Sequence, residues 1–340
     1  MTHRRLRAAD GRPILLAVVG PTATGKSSLA LAVAEAVGGE IVSCDSTAVY
    51  RGFDIGTDKV PLSERRGIPH HLIDVADPTD VFTAARYSRD AAQAVRDVTA
   101  RSRLPILVGG TGLYYRALTR GLFPGPEGDP ILRARLSRVA RRRGVESLHR
   151  GLARHDPDSA HRIKPRDEKR LIRALEVWLL TGRTLTDHFA DTRSPIADYV
   201  VRTVALTLHG DALKARMARR VDQQFAAGLL DEITTLWDRG VSPDAGPFRG
   251  LVYRQAVEHL RGVRDEMATR ELIVRENRRY ARRQLIWFRK EPNLHWIQAP
   301  GEDDGTRAAT LRLLDAGATA PDPDSVTAPM PARPLDSSAP

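Results

Sequence analysis

Cys44 is the only cysteine among 340 residues. A single thiol cannot close an intramolecular disulfide, and the ten histidines show no spacing that would complete a zinc site. A reducing compartment, the cytoplasm, is therefore the expected location. Long apolar runs are just as scarce. The run at residues 14–19, Ile-Leu-Leu-Ala-Val-Val, falls far short of the roughly 18 apolar residues that a membrane helix needs. Although a basic start precedes it, it passes directly into a functional loop and does not read as an export signal. No membrane association is expected. Acidic residues are also outnumbered, with 42 Asp and Glu against 53 Lys and Arg and a formal net charge of +11. That surplus either draws a polyanionic partner through released counterions or reflects only a bias toward arginine, and location along the chain has to decide.

The length exceeds that of a usual single domain, so a main domain with a second or inserted one is expected, each able to bury its own core. The apolar run 14–19 ends at a glycine, as a strand buried on both faces of a parallel sheet does. A helix is predicted over 26–37, a second strand over 40–43, a helix over 84–100 and a third strand over 104–108. This order implies an α/β fold, a doubly wound parallel sheet flanked by helices, with ligands at the carboxyl ends of the strands. From residue 129 strand-like runs vanish, and an arginine-rich helical pattern holds to about 188. A β-like segment returns at 200–208, and long helices follow over 210–289. The organisation expected is a core of residues 1–128 and 189–300, a helical insertion of residues 129–188, and a 301–340 segment with a weak helix at 306–314. Its last part, 317–340, rich in Pro, Ala, Asp and Ser and without aromatics, is expected to be disordered.

The strongest local signal is Gly20-Pro21-Thr22-Ala23-Thr24-Gly25-Lys26-Ser27, a G-x-x-x-x-G-K-[ST] phosphate loop with a buried strand before it and an alanine-rich helix after it. Glycines let successive N–H groups turn toward phosphate oxygens and the helix dipole adds positive potential. Lys26 supplies a mobile charge, and Ser27 can ligate Mg²⁺. A triphosphate and a diphosphate are both compatible with the loop. Nucleotide hydrolysis calls for an acid closing a neighbouring apolar strand, and the 104–108 strand ends in Gly109-Gly110 instead. His-Leu-Ile-Asp at 71–74 offers an acid on too short an apolar run. The pattern therefore leans toward phosphate binding without hydrolysis.

Asp45 closes the second strand and faces the same crevice, where a carboxylate can act as general base, magnesium anchor or helix N-cap. Cys44 beside it should point into the sheet and has no histidine near it in sequence to activate it. Basic residues then gather on helices. Arg133, Arg135, Arg138, Arg141, Arg142 and Arg143 crowd one, and Lys169, Arg170 and Arg173 mark another. Arg275, Arg278, Arg279, Arg282 and Arg283 form a stripe along a third, while Ile273, Tyr280 and Trp287 on another side dock it to the core. Any one such face could be simply solvated. Three together favour a folded nucleic acid, with RNA preferred.

Taken in order, these motifs resemble the bacterial tRNA dimethylallyltransferases, or isopentenyl-tRNA transferases, up to about residue 298. Besides the phosphate loop, the likeness rests on Asp45-Ser46 with Tyr50, Asp54-Ile-Gly-Thr57, Pro69-His-His-Leu-Ile-Asp74, Gly109-Gly-Thr-Gly-Leu-Tyr114, Arg170-Leu-Ile-Arg-Ala-Leu-Glu176 and Arg282-Arg-Gln-Leu-Ile-Trp-Phe-Arg289. The resemblance implies a P-loop NTPase-like core, a tRNA-clasping insertion, and a monomer acting on the tRNA anticodon stem-loop. The reaction it implies moves a dimethylallyl group from dimethylallyl diphosphate to N6 of the adenosine just 3′ of the anticodon, in tRNAs reading codons that begin with U. Pyrophosphate is released. Asp45 occupies the general-base position, Arg220 a diphosphate-contacting position, and Thr22 a position near the bridging oxygen, with Mg²⁺ at Ser27. The tRNA-contact positions it implies are Asp45, Ser46, Thr47, Ala48, Thr111, Arg133, Lys169, Arg170, Leu171, Ile172, Arg173, Arg249, Tyr253, Arg254, Arg282, Arg283 and Arg289.

Two positions depart from the family pattern. Ala48 stands where glutamine is frequent, which alters the expected contacts to the base. Val252 stands where glycine usually precedes the Tyr-Arg pair, and because valine resists positive φ the turn there is expected to differ. Activity should survive both, with altered tRNA preference. Two rival readings share the loop: an ATP-dependent small-molecule kinase, which leaves the basic helices unexplained, and a non-enzymatic RNA-binding protein, against which Lys26, Ser27 and Asp45 together argue.

Overall fold

Every position of Ile14–Val19 (β1), Gly39–Ser43 (β2) and Leu104–Gly109 (β4) is buried. Such unbroken burial marks strands covered on both faces rather than one. In the computed structural model, which describes residues 7–123 and 125–315, they join His70–His71 (β3), Val200–Leu206 (β5) and Leu294–Ile297 (β6) in one six-stranded sheet of order β3-β2-β4-β1-β5-β6. All its pairings are parallel. Pleating divides β1 between two cores. Leu15, Ala17 and Val19 face one side with Tyr87 and Tyr114, while Ile14, Leu16 and Val18 face the other with Leu29, Val33 and Ile106. Each fully buried Leu or Val contributes about 1.5–3 kcal/mol.

Helices Lys26–Val37 (α1), Ala84–Ala100 (α2) and Gly112–Thr119 (α3) flank the sheet. Thr83 caps α2 by accepting from the Arg86 N–H at 3.1 Å, satisfying one otherwise unpaired donor. Pro130–Arg143 (α4), Val145–His155 (α5), Pro157–Arg162 (α6), Glu168–Thr181 (α7) and Leu185–Ala190 (α8) form an all-helical group with its own core, including Leu148, Leu152, Leu171 and Leu175. It runs two residues past the expected boundary at 188, because the Thr184–Asp187 capping box starts one more short helix.

Gly210–Ala226 (α9), Leu229–Asp238 (α10), Leu251–Leu260 (α11) and Glu266–Phe288 (α12) make a helical layer that closes over Phe53 through Phe225, Leu236, Phe248 and Tyr253. The altered turn expected at Val252 does not occur. Val252 is buried in the first turn of α11 and is not among the described residues with positive φ, so its side chain meets no backbone penalty. Two more expectations need correction. The sheet has strands at 70–71 and 294–297 that short, mixed sequence concealed. The helix expected to be weak, Asp304–Asp315 (α13), packs on α1 with Leu314, Thr306 and Thr310 buried. The tail at 317–340 lies outside the described residues. No described helix is long and apolar enough to cross a membrane.

Candidate active site

The loop after β1 owes its path to backbone crowding. At Gly20 (φ 133°) a β-carbon would stand 2.4 Å from the Leu206 carbonyl oxygen of β5, so only glycine fits. Ala23 follows with φ 63°. Thr24 is fully buried and donates through Oγ1 to the Pro21 carbonyl at 2.9 Å, and Lys26 Nζ donates to the same carbonyl at 2.6 Å. Burial, reinforced by the nearby Arg220 guanidinium and opposed by Asp45, pushes the Lys26 ammonium down to about 7. Arg220, on α9, donates from Nη1 to Thr22 Oγ1 at 2.6 Å and is ion-paired with Asp58. Burial brings its guanidinium down to about 10, against the pull of Asp45.

Asp45 leaves the end of β2 in a tight turn. Its Oδ1 accepts from Thr47 N at 2.8 Å, Thr47 Oγ1 at 2.6 Å and Ala48 N at 3.4 Å. The capping role and the cleft-facing role therefore belong to one carboxylate, and among the described residues Oδ2 makes no hydrogen bond. Close passage of the neighbouring strand aims this turn. A β-carbon on Gly109 would lie 2.1 Å from the Cys44 carbonyl oxygen. Ser46 N donates to Thr111 Oγ1 at 3.1 Å, tying the turn to the start of α3. Cys44 itself is inert: burial raises its thiol to about 12.

Thr22, Lys26, Ser27, Asp45 and Arg220 line a single cleft of about 500 Å³, a volume in the usual range for small-ligand sites. Ser46, Thr47 and Ala48 line its side, and Arg249, Arg254 and Arg283 stand with it. Ala48 presents only a methyl, without any hydrogen-bonding group. Gln284 was not anticipated as a site residue. Its Oε1 accepts from Thr22 N at 3.0 Å and its Nε2 donates to the Gly110 carbonyl at 2.9 Å, so α12 is pinned to the phosphate loop and to the end of β4 together. Only its place two residues after Arg282 in the quoted motif signalled it. Tyr280, expected to dock α12 on the core, instead lines the cleft, and burial raises its hydroxyl to about 12. The acid offered by residues 71–74 is engaged elsewhere, since Asp74 pairs at 2.5 Å with Lys59, which also holds Asp54 at 2.6 Å.

The basic positions separate into two kinds. Arg249, Arg254, Arg275, Arg278, Arg282, Arg283 and Arg289 are exposed, as are Lys169 and Arg170. Arg133, itself half exposed, and the less exposed Arg173 converge on the fully buried Glu176, Arg133 through Nε–Oε1 at 2.8 Å and Nη2–Oε2 at 2.9 Å, and Arg173 through Nη1–Oε2 at 2.7 Å. These bonds hold the Glu176 carboxyl below its usual range even though burial alone would raise it. Three expected contact positions have packing roles. Leu171 and Ile172 are buried in the insertion's core, because a helix docked by one face turns its apolar positions inward. Tyr253 is buried against Phe53 and Phe248, and its hydroxyl donates to Glu232 at 2.6 Å while accepting from Gly56 N at 3.1 Å.

Comparison with known proteins agrees with this geometry. The family model described as IPP transferase matches residues 48–291. The tRNA dimethylallyltransferase of Solibacter usitatus is 49% identical over 301 residues, covering 87% of this chain and 96% of the relative. That of Geobacter sulfurreducens is 40% identical, covering 90% and 98%. Among solved structures, the full-length tRNA isopentenylpyrophosphate transferase of Bacillus halodurans superposes with a TM-score of 0.65 at 36% identity, covering 89% of this chain and 97% of that one. A eukaryotic dimethylallyltransferase structure, 23% identical with a TM-score of 0.73, shares the fold. With the family model spanning most of the chain and relatives at these identities over nearly their whole length, this chain belongs to the IPP transferase family.

Proposed function

We infer that this protein is a prenyltransferase that moves a dimethylallyl group from dimethylallyl diphosphate to tRNA, onto N6 of the adenosine just 3′ of the anticodon. One juxtaposition carries the reading. The phosphate loop with its Lys26 and Arg220 cations shares a cleft with the Asp45 carboxylate, beside the exposed arginines of α12. The relatives named above support transfer of a dimethylallyl group to tRNA and give the small-molecule kinase alternative no support. A base stacked in an anticodon loop is out of reach of groups inside a cleft, so it has to be extruded into it.

In the reaction, the allylic carbon–oxygen bond breaks and its electron pair departs on the diphosphate oxygen. N6 bonds to the carbon, its proton passes to Asp45 through the free Oδ2, and pyrophosphate leaves. Thr22, Lys26 and Arg220 stand where negative charge grows on the leaving group, and donors fixed in advance at such a place stabilise it without reorganising. Mg²⁺ suits the same place, because it is commonly held by few protein ligands together with phosphate oxygens, and the exposed Ser27 at the start of α1 is the residue to supply one. When bound, it would neutralise part of the diphosphate charge.

The test combines Mg²⁺, labelled dimethylallyl diphosphate and an unmodified anticodon stem-loop. Asp45→Asn keeps an acceptor for Thr47 and removes the base, so turnover should fall about 10²–10⁴-fold while the fold persists. Label that never enters RNA with the wild-type protein would refute the transferase reading. Undiminished transfer by the variant would refute the base.

A further inference from the structure

The inner side of a phosphate loop is useful only if its N–H groups point inward, which turns the carbonyls of the same peptides outward, where they need partners of their own. Here those partners come from two places remote in sequence. Arg216, one turn before Arg220 on α9, donates from Nε to the Ala23 carbonyl at 2.7 Å and pairs through Nη2 with Glu302 Oε1 at 2.7 Å. Gly301 N donates to the Thr24 carbonyl at 2.9 Å. Ser28 Oγ lies 3.5 Å from Glu302 Oε1. Packing is tight enough that a β-carbon on Gly25 would meet the Glu302 carboxylate at 2.6 Å, and one on Gly301 would meet the Gly25 carbonyl at 2.0 Å. None of Arg216, Gly301 and Glu302 lines the cleft.

We propose that Arg216, Gly301 and Glu302 form a clasp on the outer face of the phosphate loop, and that these three positioning residues set the loop's geometry for the diphosphate. Ala23, held at φ 63°, is the peptide most in need of it, since an alanine gains nothing from that conformation unless its neighbours fix it. The clasp also gives a role to the chain after β6. Glu302 lies beyond the matched family span, which ends at residue 291, and α13 follows it directly onto α1, anchoring the clasp to the core. The Arg216–Glu302 pair is partly exposed, so its contribution is orientation of Arg216 more than Coulomb energy.

The proposal rests on the cleft being a diphosphate site, and the assay separates the two. Binding of inorganic pyrophosphate with Mg²⁺ to the full chain is measured by calorimetry, beside KM for the prenyl diphosphate and KM for the tRNA stem-loop. Arg216→Ala unties the Ala23 carbonyl, and Gly301→Ala presses on Gly25 from outside without altering any charge. Each should weaken pyrophosphate binding and raise KM for the prenyl diphosphate about tenfold or more, as displacement of positioned groups does, with KM for tRNA unchanged; Arg216→Ala should keep the wild-type melting temperature, whereas Gly301→Ala should also melt lower, because its β-carbon meets backbone. Arg216→Lys, which cannot bridge both partners, should fall between wild type and Arg216→Ala. Glu302→Ala adds a sign test. A pure charge effect would tighten pyrophosphate binding when the carboxylate is removed, whereas loss of the clasp loosens it. Wild-type pyrophosphate affinity in folded Arg216→Ala and Gly301→Ala would overturn the clasp, as would equal losses in the two KM values. If Arg216→Ala does not fold, Arg216→Lys and Glu302→Ala decide by the same readouts. Wild-type protein that binds pyrophosphate but transfers no prenyl group would fail the transferase reading and leave the clasp standing.

Discussion

Pyrophosphate binding should draw a proton into the cleft, onto Lys26. Its ammonium is pushed from the ordinary 10.5 down to about 7, chiefly by burial, in the protein without ligand. At pH 8 only about a tenth of such a group is charged, and at pH 7 about half. A diphosphate beside it favours the charged form, so binding should take up about 0.9 proton at pH 8 and about 0.5 at pH 7. Affinity should therefore decline as pH rises above about 7. The same group makes the stability of the empty fold rise with pH from about 7 to the ordinary 10.5, because there the unfolded chain holds a proton that the folded chain lacks, and the burial cost it imposes is full below about 7 and gone above 10.5. Calorimetry in two buffers of different ionisation enthalpy counts the protons. Lys26→Arg supplies the control, as its guanidinium stays charged throughout and pyrophosphate's own titration is common to both proteins. Equal proton uptake by wild type and Lys26→Arg at pH 8 would refute the reasoning.

Other consequences are read with ordinary assays. Gly109→Ala places a methyl against the Cys44 carbonyl and forces β2 from β4, costing about 1–3 kcal/mol in denaturant unfolding, and turnover should drop with it because Asp45 follows Cys44. Glu176→Ala leaves Arg133 and Arg173 without their common carboxylate. Since Arg133 is half exposed, the cost should sit near about 3 kcal/mol, at the low end for breaking a buried pair, and thermal melting should show it. As pH falls through the lowered pKa of Glu176 the same support should be lost, and it is fully present above the ordinary carboxylate value of 4.5. Replacing the exposed Arg278 and Arg282 with Ala should reduce the slope of log affinity for tRNA against log salt by about 2, with pyrophosphate affinity unchanged. An unaltered salt slope would remove the α12 stripe from the RNA surface.

Much of the central sheet was legible because it is buried on both faces, and such strands are written as short unbroken apolar runs. Helix α1 lies between Gly25 and Gly38, and α2 starts after Thr83. β3 and β6 were not legible, since two histidines and the mixed Leu-His-Trp-Ile carry no run and owe their pairing to strands already in place. The phosphate loop and Asp45 could be located because local sequence marks them, a G-x-x-x-x-G-K-S run and an acid closing a strand, although distant residues then fix their geometry. Gln284, Arg216 and Glu302 could not, because each acts on the loop across more than 190 residues of chain, and a lone polar residue carries no trace of a partner so distant. Leu171, Ile172 and Tyr253 show the opposite limit. The family resemblance implied RNA contacts for them, whereas burial is decided by the face on which a helix docks.

A phosphate loop does not by itself choose between moving phosphorus and moving carbon, because in both reactions it stabilises charge on the same kind of oxygen. What chooses is the position of the nucleophile. A kinase needs its acceptor in line with the outermost phosphorus, whereas prenyl transfer needs it at the allylic carbon beyond the phosphates, with a base beside the acceptor rather than beside the phosphate. On the proposed reading Asp45 is that base. Its Oδ1 is fixed by the Thr47 and Ala48 turn, it shares the cleft with Lys26 and Arg220, and both cations feel its charge. The strand end that would otherwise be expected to supply a metal-organising acid is Gly109-Gly110, small enough for Cys44 to pass and for Gln284 to bind. Substituting an acid at Gly110 should therefore not create an ATPase. It would strike Gln284 Nε2, which stands 2.2 Å from where its β-carbon would be, release α12 from the phosphate loop, and lower prenyl transfer. Measured ATP turnover in Gly110→Asp would contradict that account.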